Sequence, residues 1–303
     1  MLSGWSTHGL LGCLICMEKS CARWLKFNGK PSYFDCHHKF LPTNHRYRRG
    51  TKSFIKGRVV RDPPPPRLTG KQILNRVRRI PSAVQEPHKD PHGYCITHKW
   101  TKRSIFWELP YWKDLLIHHN LDVMHIEKNV FDNIFNTVMD FKAKTKDGLA
   151  SRKDMTMWCD RPELSVALEH TSNVPKAVYQ LTEAQKQSIL EWLVSLKFPD
   201  DYCSSISRCV DIDKQTMTLS MKNHDAQVQR LLSIALKEML PADVWDCITE
   251  ISLLFQSICS TVLDAESLRR LEDCVPILMC NLEKNTASII FRWNGTSYNT
   301  SSV

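Results

Sequence analysis

The chain has 303 residues, 42% of them hydrophobic, only 10 glycines and a formal net charge of +9. That is enough apolar material for one large domain or two small ones, and the supply of Leu, Ile, Lys and Gln favours helix over sheet. The absence of any run of about twenty apolar residues excludes a membrane-spanning helix, and the absence of a P-loop, a GxGxxG turn and a nucleophile elbow excludes ordinary NTPases, dehydrogenases and serine hydrolases.

Charge is unevenly divided. Residues 1–110 hold 21 Lys and Arg against 6 Asp and Glu, whereas residues 111–303 hold 20 against 26. A basic half joined to a mildly acidic half predicts that the N-terminal part meets a polyanion, DNA or RNA foremost. No basic amphipathic helix supports a membrane partner. Residues 9–17 are apolar but short and lack a basic start, so they are not read as a secretory leader. The 12 cysteines are then expected as thiols or metal ligands in a reducing compartment, not as bridges.

Residues 1–62 read as a basic, Cys/His-rich module with little periodicity. Cys13 and Cys16 form a CxxC turn, and Cys36, His37, His38 and His45 offer a second half. Four such ligands suit a structural zinc ion, whose loss would unfold the module locally; ordinary buried thiols would give the same pattern, and Cys21 is spare. The basic run Arg46, Arg48, Arg49, Lys52, Lys56 and Arg58, continuing to Arg61 and Arg67, has the density that neutralises phosphates. Tyr47 and Phe54 within it are candidates for stacking on bases, and the run also suits a nuclear import signal. A solvated loop face is the competing reading.

Residues 63–110 are a connector and basic segment. Four prolines at 63–66 prefer an extended conformation. A short helix is predicted from Lys71 to Arg79, capped near Thr69, with Ile73, Leu74 and Val77 on one face and Pro81 as its stop. Trp100, Phe106, Trp107, Tyr111 and Trp112 predict a hydrophobic anchor. Among them Trp100, beside Lys99, Lys102 and Arg103, is the ring best placed to touch nucleic acid.

Residues 111–284 carry helical periodicity. Asp122 and His125 lie three apart at a helix start, where they suit either a shared divalent ion or simple N-capping by the aspartate; His118 and His119 read as surface. Ile126, Val130, Ile134 and Val138 recur every four residues. Thr182 with Gln185 makes a capping box ahead of Ile189, Trp192, Leu193 and Leu196. A short strand pair is predicted around Cys209–Ile212 and Thr216–Leu219. Three helices follow, one on Val228, Leu231, Leu232, Ala235 and Met239 up to Pro241, one from Val244 to Val262, and one from Leu268 to Leu282 with a kink at Pro276. Residues 285–303 read as an unstructured tail.

Several strings together carry a resemblance. They are SGWSTHG at the start, the CxxCME turn at Cys13–Glu18, YFDCHHKFLP at Tyr33–Pro42, PPPPRLTG at Pro63–Gly70, KWTKRSIFWELPYW at Lys99–Trp112, NLDVMHIEKNVFDNIFNTVMD at Asn120–Asp140 and RPEL at Arg161–Leu164. Over about residues 3–284 the chain resembles the transposases of plant CACTA (En/Spm-like) elements. The resemblance implies a mainly α chain with a few short strands (α+β): a partial RNase H-like transposase core with an N-terminal zinc-binding-like module. Such cores use three carboxylates to hold two Mg or Mn ions for phosphoryl transfer.

In this family the first two catalytic aspartates lie upstream of the SGWST string, and the numbering here begins just before it. The resemblance therefore implies a truncated, catalytically inactive, transposon-derived protein that keeps zinc and some affinity for DNA, with transposon ends as the family's target and the nucleus as its compartment. Asp122 and His125 match the family's Asp-x-x-His signature, and Glu250 is a candidate acidic partner. Two departures stand out: the stretch His224–Gln227 lacks the family's Cys-His pair, and the sequence after Lys284 does not follow the family. A domesticated DNA-binding or interaction factor, an active metal-dependent transposase or nuclease, and an unstable pseudogene product are the alternatives. The sequence sets no oligomeric state.

Overall fold

The computed structural model describes residues 4–286 apart from 8, 35, 83–90, 116–117, 119–121, 143, 170–173, 198–205, 218–230 and 232. The chain divides into two units that interleave in sequence: one is drawn from Met1–Cys36 and Asp62–Asp122, the other from His37–Arg61 and Val123–Phe291.

The first unit is built around indole rings. Trp5, Trp100, Trp107 and Trp112 are buried with Leu14, Met17, Ile73, Val77 and Ile80. Trp5 meets Trp100 edge to face at 5.1 Å, and its Nε1 donates to the Leu11 carbonyl at 3.0 Å. The backbone draws the two together: Ser6 N–H donates to Lys99 O at 2.8 Å and Thr101 N–H to Gly4 O at 3.0 Å. Gly4 has φ +87°, and a Cβ there would strike the Lys102 carbonyl, so this crossing demands glycine. Two strands, β1 (Arg23–Leu25) and β2 (Lys30–Ser32), form an antiparallel hairpin. Helix α1 (Gly70–Val77) begins where expected, because Thr69 accepts from Gln72 N–H at 3.3 Å while Gln72 Oε1 accepts from Thr69 N–H at 2.9 Å. Gly70 lets the helix start lie against the Lys113 carbonyl and the His118 ring.

His118 is not a surface residue. It is 3% exposed, it stacks on Trp107 at 5.0 Å, and a ring nitrogen lies 2.9 Å from Trp112 O. Trp100 is likewise 2% exposed, so it serves the anchor and not a nucleic acid. His119 lies outside the described residues.

The second unit is mainly helical: α2 (Val123–Val138), α3 (Leu149–Trp158), α4 (Glu183–Ser195), α5 (Ala242–Ile258) and α6 (Ala265–Asn285). A two-stranded antiparallel sheet pairs β3 (Val210–Asp211) with β4 (Thr216–Met217). One core gathers Ile134, Phe135, Val138, Leu181, Ile189, Leu190, Leu193, Ile248, Ile251, Phe255, Leu278 and Leu282. The α+β expectation holds. Among the described residues each sheet has two strands.

α4 opens on the predicted capping box, with Gln185 N–H to Thr182 Oγ1 at 3.3 Å and Thr182 N–H to Gln185 Oε1 at 2.8 Å. α5 ends at Ile258, short of Val262, which is 81% exposed. α6 accommodates Pro276 in its interior, and its predicted apolar stripe begins uncovered, with Leu268 exposed and Leu271 and Val275 half-buried. Part of the predicted helix before Pro241, including Val228 and Leu232, lies outside the described residues.

A polar knot sits inside this unit. Asp147 accepts two bonds from the Arg152 guanidinium, one from Nε and one from Nη2 at 2.6 Å, a third from Tyr179 Oη at 2.7 Å and a fourth from Gln180 Nε2 at 3.3 Å. Burial works against the Arg152 charge, and the Asp147 carboxylate more than offsets it, leaving the pKa above its ordinary value. Burial, and then the Asp147 charge, push Tyr179 well above the ordinary tyrosine range. Removing the carboxylate strands a buried cation. Asp147→Ala should therefore cost about 3–5 kcal/mol, read as a lowered midpoint in urea unfolding; a change within about 0.5 kcal/mol, the size of a surface substitution, would show that the knot is not structural.

Candidate metal centre and basic segment

Residues 37–61 have no regular sheet or α-helix, so their placement falls to side chains. Arg48 does the central work. It is 2% exposed; its Nε donates to Leu41 O at 2.9 Å, and its Nη2 to Lys39 O at 2.8 Å and Leu41 O at 2.7 Å, while Nη1 donates to Val60 O at 3.3 Å. The segment is then tied to helix ends. Lys56 N–H donates to Trp158 O at 2.9 Å and Asp160 N–H to Lys52 O at 3.1 Å. Tyr47 Oη donates to Asn281 Oδ1 at 2.6 Å, and His37 Nδ1 lies 2.9 Å from Glu283 Oε1.

These ties bring three ligand-bearing side chains together. Ligand atoms of His38, Cys280 and Glu283 all lie within 4.8 Å of one another, and the residues are 1%, 0% and 0% exposed. Cys280 and Glu283 are three apart on α6 and so share a face. The His38 ring is held edge-on against Phe54 at 4.2 Å, and its Nε2 is shielded from solvent with no hydrogen-bond partner. Burial, and after it the neighbouring charges of His37, Arg58, Arg48 and His45, push His38 down to about 4, so the ring is neutral near pH 7. Arg161 Nη1 donates to Thr286 O at 2.7 Å and Glu283 O at 3.4 Å, fixing the end of α6.

The residues singled out in the sequence are distributed otherwise. Cys13, Cys16 and Cys36 belong to the first unit, His37 and His45 to the second. The three thiols stand near Tyr33, whose hydroxyl donates to Gly9 O at 2.9 Å and accepts from Gly12 N–H at 2.9 Å. Burial first, and then the thiols, raise Tyr33 to about 12. Cys16 N–H donates to Cys13 Sγ at 3.3 Å, and Cys36 Sγ donates to the Cys21 carbonyl. His45 accepts from Tyr47 N–H at 3.3 Å. Asp122 is exposed, His125 is half-buried on α2 and Glu250 is exposed on α5. None of these joins a gathered ligand set among the described residues, where His38, Cys280 and Glu283 form the one such group.

Cys280 and Glu283 escaped the sequence reading because they sit inside an apolar helical stripe. The available signal was a glutamate beside Leu282, on the buried flank of that stripe.

Of the cations, Arg46, Arg49, Lys52, Lys56 and Lys102 are exposed, and Arg58 is half-buried. Arg103 is half-buried and paired with Glu108 at 2.9 Å. Arg48 faces protein carbonyls, as described above. Tyr47 and Phe54 are buried, which removes them as base-stacking platforms. A groove on the second unit is lined by Thr43, Arg48, Arg49, Val59, Val60 and Arg61.

Residues 1–80 match the family model described as transposase family tnp2. No curated protein and no solved structure matches the chain. The match supports a transposase family and a transposon-derived origin.

The two neighbouring arginines make a direct contrast. Arg48→Met should destabilise the chain by on the order of 3 kcal/mol, because several buried carbonyls lose their donor. Arg49→Gln should stay within about 0.5 kcal/mol. Equal effects in chemical denaturation would refute the structural role of Arg48.

Proposed function

We propose that the chain is a transposon-derived DNA-binding protein that grips the phosphate backbone without cutting it. The observation that carries this reading is the arginine-lined groove on the 37–61 segment, where Arg49 and Arg61 are exposed beside the inward-facing Arg48 and where Arg46, Lys52 and Lys56 add to the same exposed cationic segment. Arginine forks suit phosphate oxygens, and contacts of this kind position a protein on DNA without reading sequence. The transposase match over residues 1–80 covers the whole of this segment. Plant CACTA elements are the family that the sequence resembles, which makes the DNA ends of such elements and the nucleus the natural setting.

Among the described residues the gathered ligand set is not a cluster of carboxylates. His38, Cys280 and Glu283 supply one imidazole, one thiol and one carboxylate, a donor set for a single soft-tolerant ion. Two-metal phosphoryl transfer relies on hard oxygen ligands that bridge a pair of ions.

Fluorescence anisotropy with a duplex oligonucleotide, repeated across salt concentrations, tests the proposal. Binding should weaken steeply with salt, and the triple variant Arg49→Gln, Lys52→Gln, Lys56→Gln should lower the log–log slope by about 2–3 with an unchanged circular dichroism spectrum. Salt-insensitive binding, or a variant with the wild-type slope, would overturn it. In parallel, Mg²⁺ or Mn²⁺ should produce no nicking of supercoiled DNA; robust cutting abolished by Asp122→Ala would show that the chain is a nuclease.

A further inference from the structure

We propose that His38, Cys280 and Glu283 hold a single zinc-class divalent ion that fastens the 37–61 segment to the last turns of α6. The inference concerns the second unit alone and stands apart from DNA binding.

Three features argue for it. First, the donor atoms are already gathered, all within 4.8 Å of one another. A tetrahedral ion with bonds of about 2.0–2.3 Å sets its ligands roughly 3.3–3.8 Å apart, so side-chain adjustment alone closes the site. Second, the surroundings are dry. All three side chains are buried, yet the His38 ring has a fully shielded Nε2 without a hydrogen-bond partner. A buried polar side chain left in that state costs free energy, and ligation removes the cost. Third, the charges close: a thiolate and a carboxylate neutralise a dication, while a neutral imidazole adds none.

The chemistry of the donors selects the ion. A thiolate and an imidazole exclude Mg²⁺ and Ca²⁺, which want oxygen, and favour Zn²⁺ or its spectroscopic substitute Co²⁺. Three protein ligands leave one coordination position unassigned.

The supporting shell is present as well. The His37 N–H donates to Glu283 Oε1 at 2.9 Å, an outer contact of the kind that orients a ligating carboxylate. Phe54 holds the His38 ring edge-on, and Arg161 pins the backbone carbonyls at Glu283 and Thr286. An ion here would join His38 to residues more than two hundred positions later, so its folding contribution would be to a long-range closure.

The experiment uses the purified full chain. It is stripped with a chelator, reconstituted with Zn²⁺ or Co²⁺ alone and dialysed. Reconstituted protein should retain metal at Cys280, read in two ways. In the wild type, Zn²⁺ should slow alkylation of Cys280 at least tenfold relative to the stripped protein, followed by peptide mass spectrometry. Co²⁺ should give thiolate charge-transfer absorption that Glu283→Gln weakens and that the pair His38→Gln, Cys280→Ser reduces by the equivalent of one ion per chain. Cys13→Ser with Cys16→Ser should leave that equivalent in place, which separates this site from the N-terminal thiols. Unchanged Cys280 alkylation with and without Zn²⁺ would overturn the proposal, as would a His38→Gln, Cys280→Ser variant holding as much metal as wild type. The alkylation arm needs no variant, so it decides the matter even if a substituted chain fails to fold.

Discussion

The second unit depends on a seam between an irregular segment and the end of its last helix. Tyr47 reaches Asn281 across 234 residues of sequence, and His37 reaches Glu283 across 246. Residues 37–61 have too little regular hydrogen bonding to hold a shape alone. Closing so long a loop carries an entropic cost that grows only slowly with length, so a few well-buried contacts suffice. Once the seam is made, Arg48 turns inward to satisfy carbonyls from three positions of the segment. Arg46, Arg49, Lys52, Lys56 and Arg61 of the same segment are exposed.

The first unit solves a related problem by other means. Among the described residues its regular structure is one hairpin, one two-turn helix and short 3-10 turns, so aromatic rings supply much of the buried area. Each indole buries a large surface while fixing few torsions, and edge-to-face or stacked contacts add direction. The crossing of residues 4–6 with 99–101 places Trp5 on Trp100, and stacking on Trp107 turns His118 into a core residue. The demands on Gly4 and Gly70 follow from that density, because backbone approaches where a Cβ would stand.

How much of this was legible in the sequence depends on whether the signal is local. Capping boxes at Thr69 and Thr182, four-residue apolar spacing and the turn between β3 and β4 involve neighbours along the chain, and the elements appear where their residues put them. The fate of a cation or a ring is not local. Arg46, Arg48 and Arg49 read alike, yet Arg48 is the one buried, against the carbonyls of Lys39, Leu41 and Val60 where the irregular segment folds back on itself. Tyr47 and Phe54 looked like stacking platforms because their burial partners, among them Asn281 and His38, are brought in by the fold. The half-exposed start of α6 is the reverse case: Leu268 keeps the helical spacing without a surface to cover it. Ligand gathering is least legible, since Cys280 and Glu283 carry a helical spacing of three that apolar packing also produces, and His38 arrives from the other end of the chain.

A fully buried glutamate in the apolar flank of a helix is the most pointed of these features. Helix propensity does not explain it, because glutamate is equally content on the solvent face. Packing does not explain it either, since a leucine would fill the space without a desolvation cost. What Glu283 adds is a carboxylate at a place where His37 meets it from one side, with Cys280 and the His38 ring completing the group. A carboxylate that is buried, oriented and set beside a thiol and an imidazole has the donor company of a zinc-class divalent ion, and such an ion would give the segment bearing the exposed arginines a fixed footing.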